Sequence, residues 1–209
     1  MNFSLPKNNG NVETHHGASL LVTIAFFLGF IPQLQAQNFS GGLYGGFTTS
    51  QIDGDERAGF HCIGPAAGIF VTYPCSFVNH SFELGFAQKG AADSVKNYKI
   101  ALGYVDATYL LQIKPHTFLA SFPEIVKLDV GAMLSAKVYE TFDFDGVSNQ
   151  TDDFSRLDMQ ACAGVSVDLG KQLDFAARCS YSLIPIEQRY HNLALYFLLR
   201  WNFFTPKEY

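Results

Sequence analysis

Twelve ionisable side chains fall at alternate positions of stretches that are otherwise apolar or built from small residues. They are Glu83, Lys89, Asp106, Lys114, Lys127, Asp129, Lys137, Asp158, Asp168, Asp174, Arg178 and Arg200, six acids and six bases. Gathered on one surface, such a set can line a conducting or proton-carrying path, or form ion pairs in which each charge compensates a neighbour. The equal numbers favour the second arrangement, because charges removed from water persist only when paired. Ten of them (Glu83, Lys89, Asp106, Lys127, Asp129, Lys137, Asp158, Asp174, Arg178 and Arg200) are expected to make up an interior polar network.

Other reactive types lack the spacing that their chemistry needs. Gly164-Val165-Ser166-Val167-Asp168 begins like a nucleophile elbow, but Asp168 stands where the second glycine belongs. The segment also reads as a strand rather than a strand–turn–helix, so Ser166 is expected to be an interior hydroxyl. His61, His80, His116 and His191 are scattered singly, and Cys62, Cys75, Cys162 and Cys179 form no CxxC pair. Neither pattern is that of a zinc site or a disulfide framework. Asp53 with Asp55, and Asp143 with Asp145, could offer oxygen ligands to calcium, but neither loop has EF-hand spacing. The expectation is therefore no catalytic, cofactor-binding or metal site, and no enzyme.

The elements that would position the ionisable residues are strands. Only 16% of the 209 residues are charged and 15% are aromatic, with 20 Phe, 10 Tyr and 18 Gly. A soluble domain carries roughly a quarter charged residues. Aromatics and glycine favour strands and tight turns over helices. The net charge of −5 offers no basic face for nucleic acid.

Alternation with period two recurs eight times. Leu43 and Phe47 alternate with Tyr44 and Thr48; Ile63, Ile69, Val71 and Tyr73 with Cys62, Gly64 and Thr72; Phe82, Leu84 and Phe86 with Ser81 and Glu83. Val105, Tyr109 and Leu111 oppose Asp106, Thr108 and Gln112, and Leu128, Val130 and Leu134 oppose Asp129 and Ser135. Leu157, Met159 and Val165 then oppose Asp158, Gln160 and Ser166; Phe175 and Tyr181 oppose Asp174 and Arg178; Leu195, Phe197, Leu199 and Trp201 oppose Tyr196 and Arg200. Each stretch is a strand with one apolar and one polar face. Several reach the ten residues that a tilted strand needs to cross a hydrocarbon core. An even number in series predicts an all-β, eight-stranded antiparallel up-and-down transmembrane β-barrel.

A soluble barrel would have the same period with the faces exchanged. The polar faces here mix few charges with Gly, Ser and Thr, as a narrow lumen requires, while the apolar faces are almost free of charge, as lipid contact requires. The alternative, a soluble secreted barrel that binds a small apolar ligand, would need the apolar faces inside. Tyr73, Tyr109, Tyr139, Phe154, Tyr181 and Trp201 are expected as girdle residues at the lipid–water boundary.

Connections at one end (51–59, 90–97, 140–153 and 185–188) are polar and partly acidic; those at the other (74–79, 115–123 and 170–172) are mostly shorter. Long loops outside and short turns inside are the asymmetry of outer-membrane barrels. Before the first strand, Ala18 to Ile31 is apolar and ends at Pro32. It is too short to span a bilayer and fits the core of a signal peptide, with cleavage after Ala36. A membrane anchor is the competing reading. The organisation expected is a signal peptide over 1–36 and a barrel domain over 37–209.

Gly42-Leu43-Tyr44-Gly45-Gly46, the run Glu83 to Gly90, Gly131 to Lys137, Leu157-Asp158-Met159 and Ala177 to Leu183 together resemble the PorT-like outer-membrane β-barrel family. The similarity runs in order along nearly the whole chain after residue 36, through short motifs. Relatives often end on an aromatic residue at the barrel's close, whereas here Thr205-Pro206-Lys207-Glu208-Tyr209 follows Phe204. The resemblance implies an eight-stranded barrel in a Gram-negative outer membrane, mostly with no assigned activity; the expected state is a monomer in contact with membrane lipid, with an envelope protein as the partner its loops could meet. No cofactor is expected.

Overall fold

The computed structural model describes residues 39–53, 59–93, 98–144, 147–150, 154–187 and 189–204. The expected signal peptide, the tail 205–209 and parts of the loops lie outside the described residues. Among these residues nine strands follow in order: β1 (Ser40–Asp53), β2 (Cys62–Tyr73), β3 (Val78–Asp93), β4 (Tyr98–Ile113), β5 (Val126–Phe144), β6 (Val147–Gln150), β7 (Leu157–Asp168), β8 (Leu173–Ser182) and β9 (His191–Phe204). A single 3-10 turn, Pro115–Thr117, lies between β4 and β5.

Eight of these strands are staves. Each pairs antiparallel with its neighbours, β9 pairs with β1, and β4 with β5, so the sheet closes on itself. The short β6 pairs only with the end of β5, as a hairpin extension outside the ring. The alternation of residue types becomes alternation of environment. In β2, Cys62, Gly64, Ala66, Phe70 and Thr72 are buried, while Ile63, Ile69, Val71 and Tyr73 are exposed. Phe47, Phe82, Leu84, Val130, Leu134, Leu157, Leu199 and Trp201 are likewise exposed on the outer wall.

The register sets the barrel's shape. From Leu173 on β8 the ladder passes through Trp201, Leu43, Ile69, Leu84, Ala107, Leu134 and Met159. It returns to β8 at Leu183, whose N–H donates to the Met159 carbonyl, ten residues beyond the start. An offset of ten on eight strands tilts them about 40° from the barrel axis, so each residue adds about 2.5 Å of height. The ten residues from Leu173 to Leu183 thus climb about 25 Å, the height of the apolar band on a membrane barrel.

One departure from simple alternation matters. Opposite Gly103 and Tyr104, β5 presents Tyr139 and Lys137, so Val138 is an extra residue in a bulge. Beyond it, strand continues where a loop over 140–153 was expected: β5 runs to Phe144 and turns back as β6. The bulge resets the alternation, and Glu140, which strict period two would turn outward, is buried inside. β3 likewise runs on to Asp93, into the segment read as a loop from residue 90.

Above Ala87, β3 has no ladder partner on β2. Its backbone is held there by side chains of β1: the Gly90 N–H donates to Ser50 Oγ at 2.8 Å, and Thr48 Oγ1 donates to the Gln88 carbonyl. Gly90 itself has φ +145°, and a Cβ there would collide with the Ile100 carbonyl oxygen. Gly90→Val should therefore destabilise the micelle-refolded protein by at least about 1–3 kcal/mol, the cost of backbone forced into that region. An unchanged urea midpoint would contradict it.

Candidate functional site

The barrel interior is a stack of side chains read from the end that carries Ser40 and Phe204. First comes an open vestibule of about 270 Å³ lined by polar groups, among them Thr72, Asn79, Lys127, Asp168, Asp174 and Asn202. Lys127 and Asp168 form an ion pair at its mouth, and Asn202 Nδ2 donates to Asp174 Oδ2 at 3.2 Å. Lys114, just beyond β4, donates from Nζ to the Cys75 carbonyl at 2.9 Å. Partial burial, with Lys127 nearby, lowers the Lys114 pKa from its ordinary value.

Above the vestibule the lumen is filled. Arg178 Nη1 and Nη2 donate to Glu83 Oε2 and Oε1 at 2.6 and 3.0 Å, a bidentate pair, while its Nε donates to Asp129 Oδ2 at 2.9 Å. Asp129 also accepts from Ser166 Oγ at 2.5 Å and from Gln112 Nε2 at 3.1 Å. Arg200, 1% exposed, lies with Nη2 3.4 Å from Glu83 Oε1 and its guanidinium 4.0 Å from the centre of the Phe70 ring. Two cations and two carboxylates thus share one layer, joined from β3, β5, β8 and β9.

The next layer holds Lys89, fully buried. Its Nζ donates to Asp106 Oδ1 at 3.2 Å and to Ser135 Oγ at 3.1 Å, and lies 4.9 Å from the centre of the Tyr104 ring. Tyr196 OH donates to the other Asp106 oxygen at 3.0 Å. Asp158 has neutral donors instead of a cation: Gln160 Nε2, Ser182 Oγ and Asn192 Nδ2 reach its Oδ2 at 2.6, 2.9 and 2.9 Å. At the far end Lys137 Nζ donates to Glu140 Oε2 at 2.5 Å, and the Phe154 N–H donates to the same oxygen at 3.2 Å. Ile52, Ala91, Ile100, Leu102 and Ile186 close that end with apolar surface.

All ten residues expected in the network therefore face the lumen or its mouths, but they do not form one cluster. Glu83, Asp129, Arg178 and Arg200 come together, as do Lys89 and Asp106. Asp158 stands among amides and hydroxyls, Lys137 joins Glu140, and Lys127 and Asp174 are rim groups in the vestibule. Glu140 is an interior residue that the alternation did not select. Finding Glu140 required knowing the bulge at Val138. Phe154, expected on the girdle, instead packs against the apolar plug.

The arrangement is one of static compensation. Each base in the filled layers lies against a carboxylate, and Ser166 is engaged by Asp129. On the outer wall, His80 Nδ1 lies 2.7 Å from Tyr109 OH; the His191 ring stacks on Tyr181 at 5.4 Å, and Tyr181 OH donates to Asp53 Oδ2. Neither histidine has a serine or cysteine nucleophile in these contacts. Among the described residues, no three of His, Cys, Asp and Glu come together in a way that could hold a metal ion. Asp55 and Asp145, half of each acidic loop pair, lie outside the described residues.

These features define a closed, eight-stranded, all-antiparallel β-barrel with charges inside and apolar side chains outside. No protein-family model matches the chain, and no curated protein does. Among solved structures it is similar to Neisserial surface protein A, NspA (TM-score 0.51, 15% identity), with 79% of this chain and 97% of that chain covered. Ail, the attachment invasion locus protein of Yersinia pestis, aligns with TM-score 0.49 and 14% identity over 78% of this chain and 98% of that one. The likeness to NspA is one of fold.

Removing Arg178 would leave Asp129 buried without its cation and Glu83 with only the longer contact to Arg200. Arg178→Met should cost about 3–5 kcal/mol, whereas Lys127→Met at the half-open rim should cost less than about 1 kcal/mol. Urea titrations of the refolded variants check this, and equal losses would refute the layered picture.

Proposed function

We propose that this chain is a non-enzymatic integral outer-membrane β-barrel of the PorT-like type, exported by residues 1–36, whose projecting hairpins meet other envelope components. One observation carries the reading: the apolar side chains face outward around the whole ring, over about 25 Å of height, while the charges face inward. Lipid is the solvent that suits such a wall. A closed sheet is also what a bilayer demands, because it leaves no edge of unpaired backbone groups in hydrocarbon. The competing soluble barrel would require an apolar lumen for its ligand, and the lumen here is occupied by Arg178, Glu83, Asp129 and Arg200.

The order of the short motifs supports the PorT-like reading. The end bearing both barrel termini is taken as periplasmic, which places the β3–β4 and β5–β6 hairpins outside the cell. From Val138 to Phe144, β5 rises about 15 Å beyond the band at the same height per residue, enough to carry Phe144 and Val147 clear of the lipid. Both are exposed at the hairpin's tip, where a partner would meet them.

Two experiments test the reading. The protein should fractionate with the outer membrane and migrate faster on gels before boiling than after; recovery as a soluble periplasmic monomer would refute it. A photo-cross-linker replacing Phe144 should give adducts in intact cells, whereas one replacing lumen-facing Leu110 should give none. The same adducts from both positions, or none from Phe144, would remove the hairpin from the proposal.

A further inference from the structure

The turns at the end taken as periplasmic are not the polar turns that water would favour. Phe77 in the β2–β3 turn is 60% exposed, and Phe118 in the β4–β5 connector is 62% exposed. Leu119, Phe122 and Ile125 of the same connector are exposed as well, as is Leu169 after β7. These residues belong to three neighbouring turns that are tied together by backbone hydrogen bonds. The Lys114 N–H donates to the Phe77 carbonyl at 2.9 Å, and the Asp168 N–H to the Ile125 carbonyl at 2.8 Å. Within the connector, Phe122 N–H donates to the Leu119 carbonyl and Val126 N–H to that of Pro123. The apolar side chains are therefore displayed by an ordered scaffold. Several large apolar side chains exposed together on one ordered scaffold mark a surface that meets lipid or another protein.

The register says which. Carrying the strand rise to the first turn residues puts Phe77, Ile125 and Leu169 within about 5 Å in height of Phe39, Tyr73 and Phe203. Those three form the aromatic rim at this end of the wall: Phe39 packs on Tyr73 with ring centres 5.1 Å apart, and Phe203 on Trp201 at 5.4 Å. The exposed Phe77, Ile125 and Leu169 of the turns lie at the level of that rim. We propose that the β4–β5 connector, with Phe77 and Leu169 beside it, is an interfacial anchor whose side chains enter the headgroup–acyl boundary of the periplasmic leaflet. The inference rests on the outer-membrane reading above. It adds that the anchor lies on the turns, on the β3–β7 side of the ring, rather than on the strands alone. Long Phe-bearing turns then have a physical use: aromatic rings at the interface resist both withdrawal into water and sinking into hydrocarbon.

Trp201 is the protein's one tryptophan, on the lipid-facing wall, and serves as an internal reference. Full-length mature protein is refolded into phosphatidylcholine vesicles whose acyl chains carry bromine at shallow or deep positions. Phe118→Trp and, separately, Phe122→Trp are made in a Trp201→Phe background. The expected result is blue-shifted emission from the indole introduced at either position, quenched more by shallow bromines than by deep ones, with little loss to aqueous iodide. Emission typical of water, quenched by iodide and untouched by bromine, would overturn the anchor while Trp201 in the parent is still quenched by bromine; the patch would then face a soluble partner. If Trp201 in the parent also escapes bromine, the membrane reading itself fails.

Discussion

Everything in this barrel depends on Arg178 being held between Glu83 and Asp129. An eight-stranded ring leaves just enough interior for side chains. A polar interior of that width has no bulk water to screen it, so each charge must find its counter-charge at contact distance. The bidentate arm to Glu83 and the Nε bond to Asp129 join β8 to β3 and β5 across the lumen. Arg200 adds β9 through the same Glu83. The network therefore links opposite walls that the backbone ladder connects only through the strands between them. Its contribution is better described as specificity than as net stability, since an apolar filling of equal volume is often as stable.

From that layer outward the interior changes character in both directions. Toward the termini it opens into a vestibule with room for water, where Lys127 and Asp168 are partly exposed. Toward the far end it dries out, through Lys89 beneath Tyr104 and the amide-bound Asp158, to a plug containing Ile52, Ile100 and Ile186. Among the described residues, the lumen is thus open and polar at one end and packed with apolar side chains at the other.

The outer wall follows from the inner one. Strict period two places an apolar residue outward wherever a charge turns inward, and the ten-residue offset converts those positions into a band about 25 Å high. Where a bulge interrupts the period, as at Val138, the strand leaves the band and the alternation begins again. Bulges at barrel rims re-aim side chains in this way. Here the bulge brings Glu140 inward to meet Lys137.

Period-two alternation, local and periodic, was enough for the sequence by itself to determine the eight staves, their two faces and the inward turn of Glu83, Lys89, Asp106, Asp129, Arg178 and Arg200. It could not say which charge meets which. Glu83 and Arg178 are 95 residues apart, and their contact depends on the tilt and offset of the closed ring. The bulge at Val138, the burial of Glu140 and the packing of Phe154 against the plug are likewise decided by tertiary closure. One extra residue reverses the faces of everything beyond it, and no local pattern marks where it falls. The exposed Phe77 and Phe118 can be read as apolar from sequence; their shared level at one rim exists only once the strands are tilted and paired.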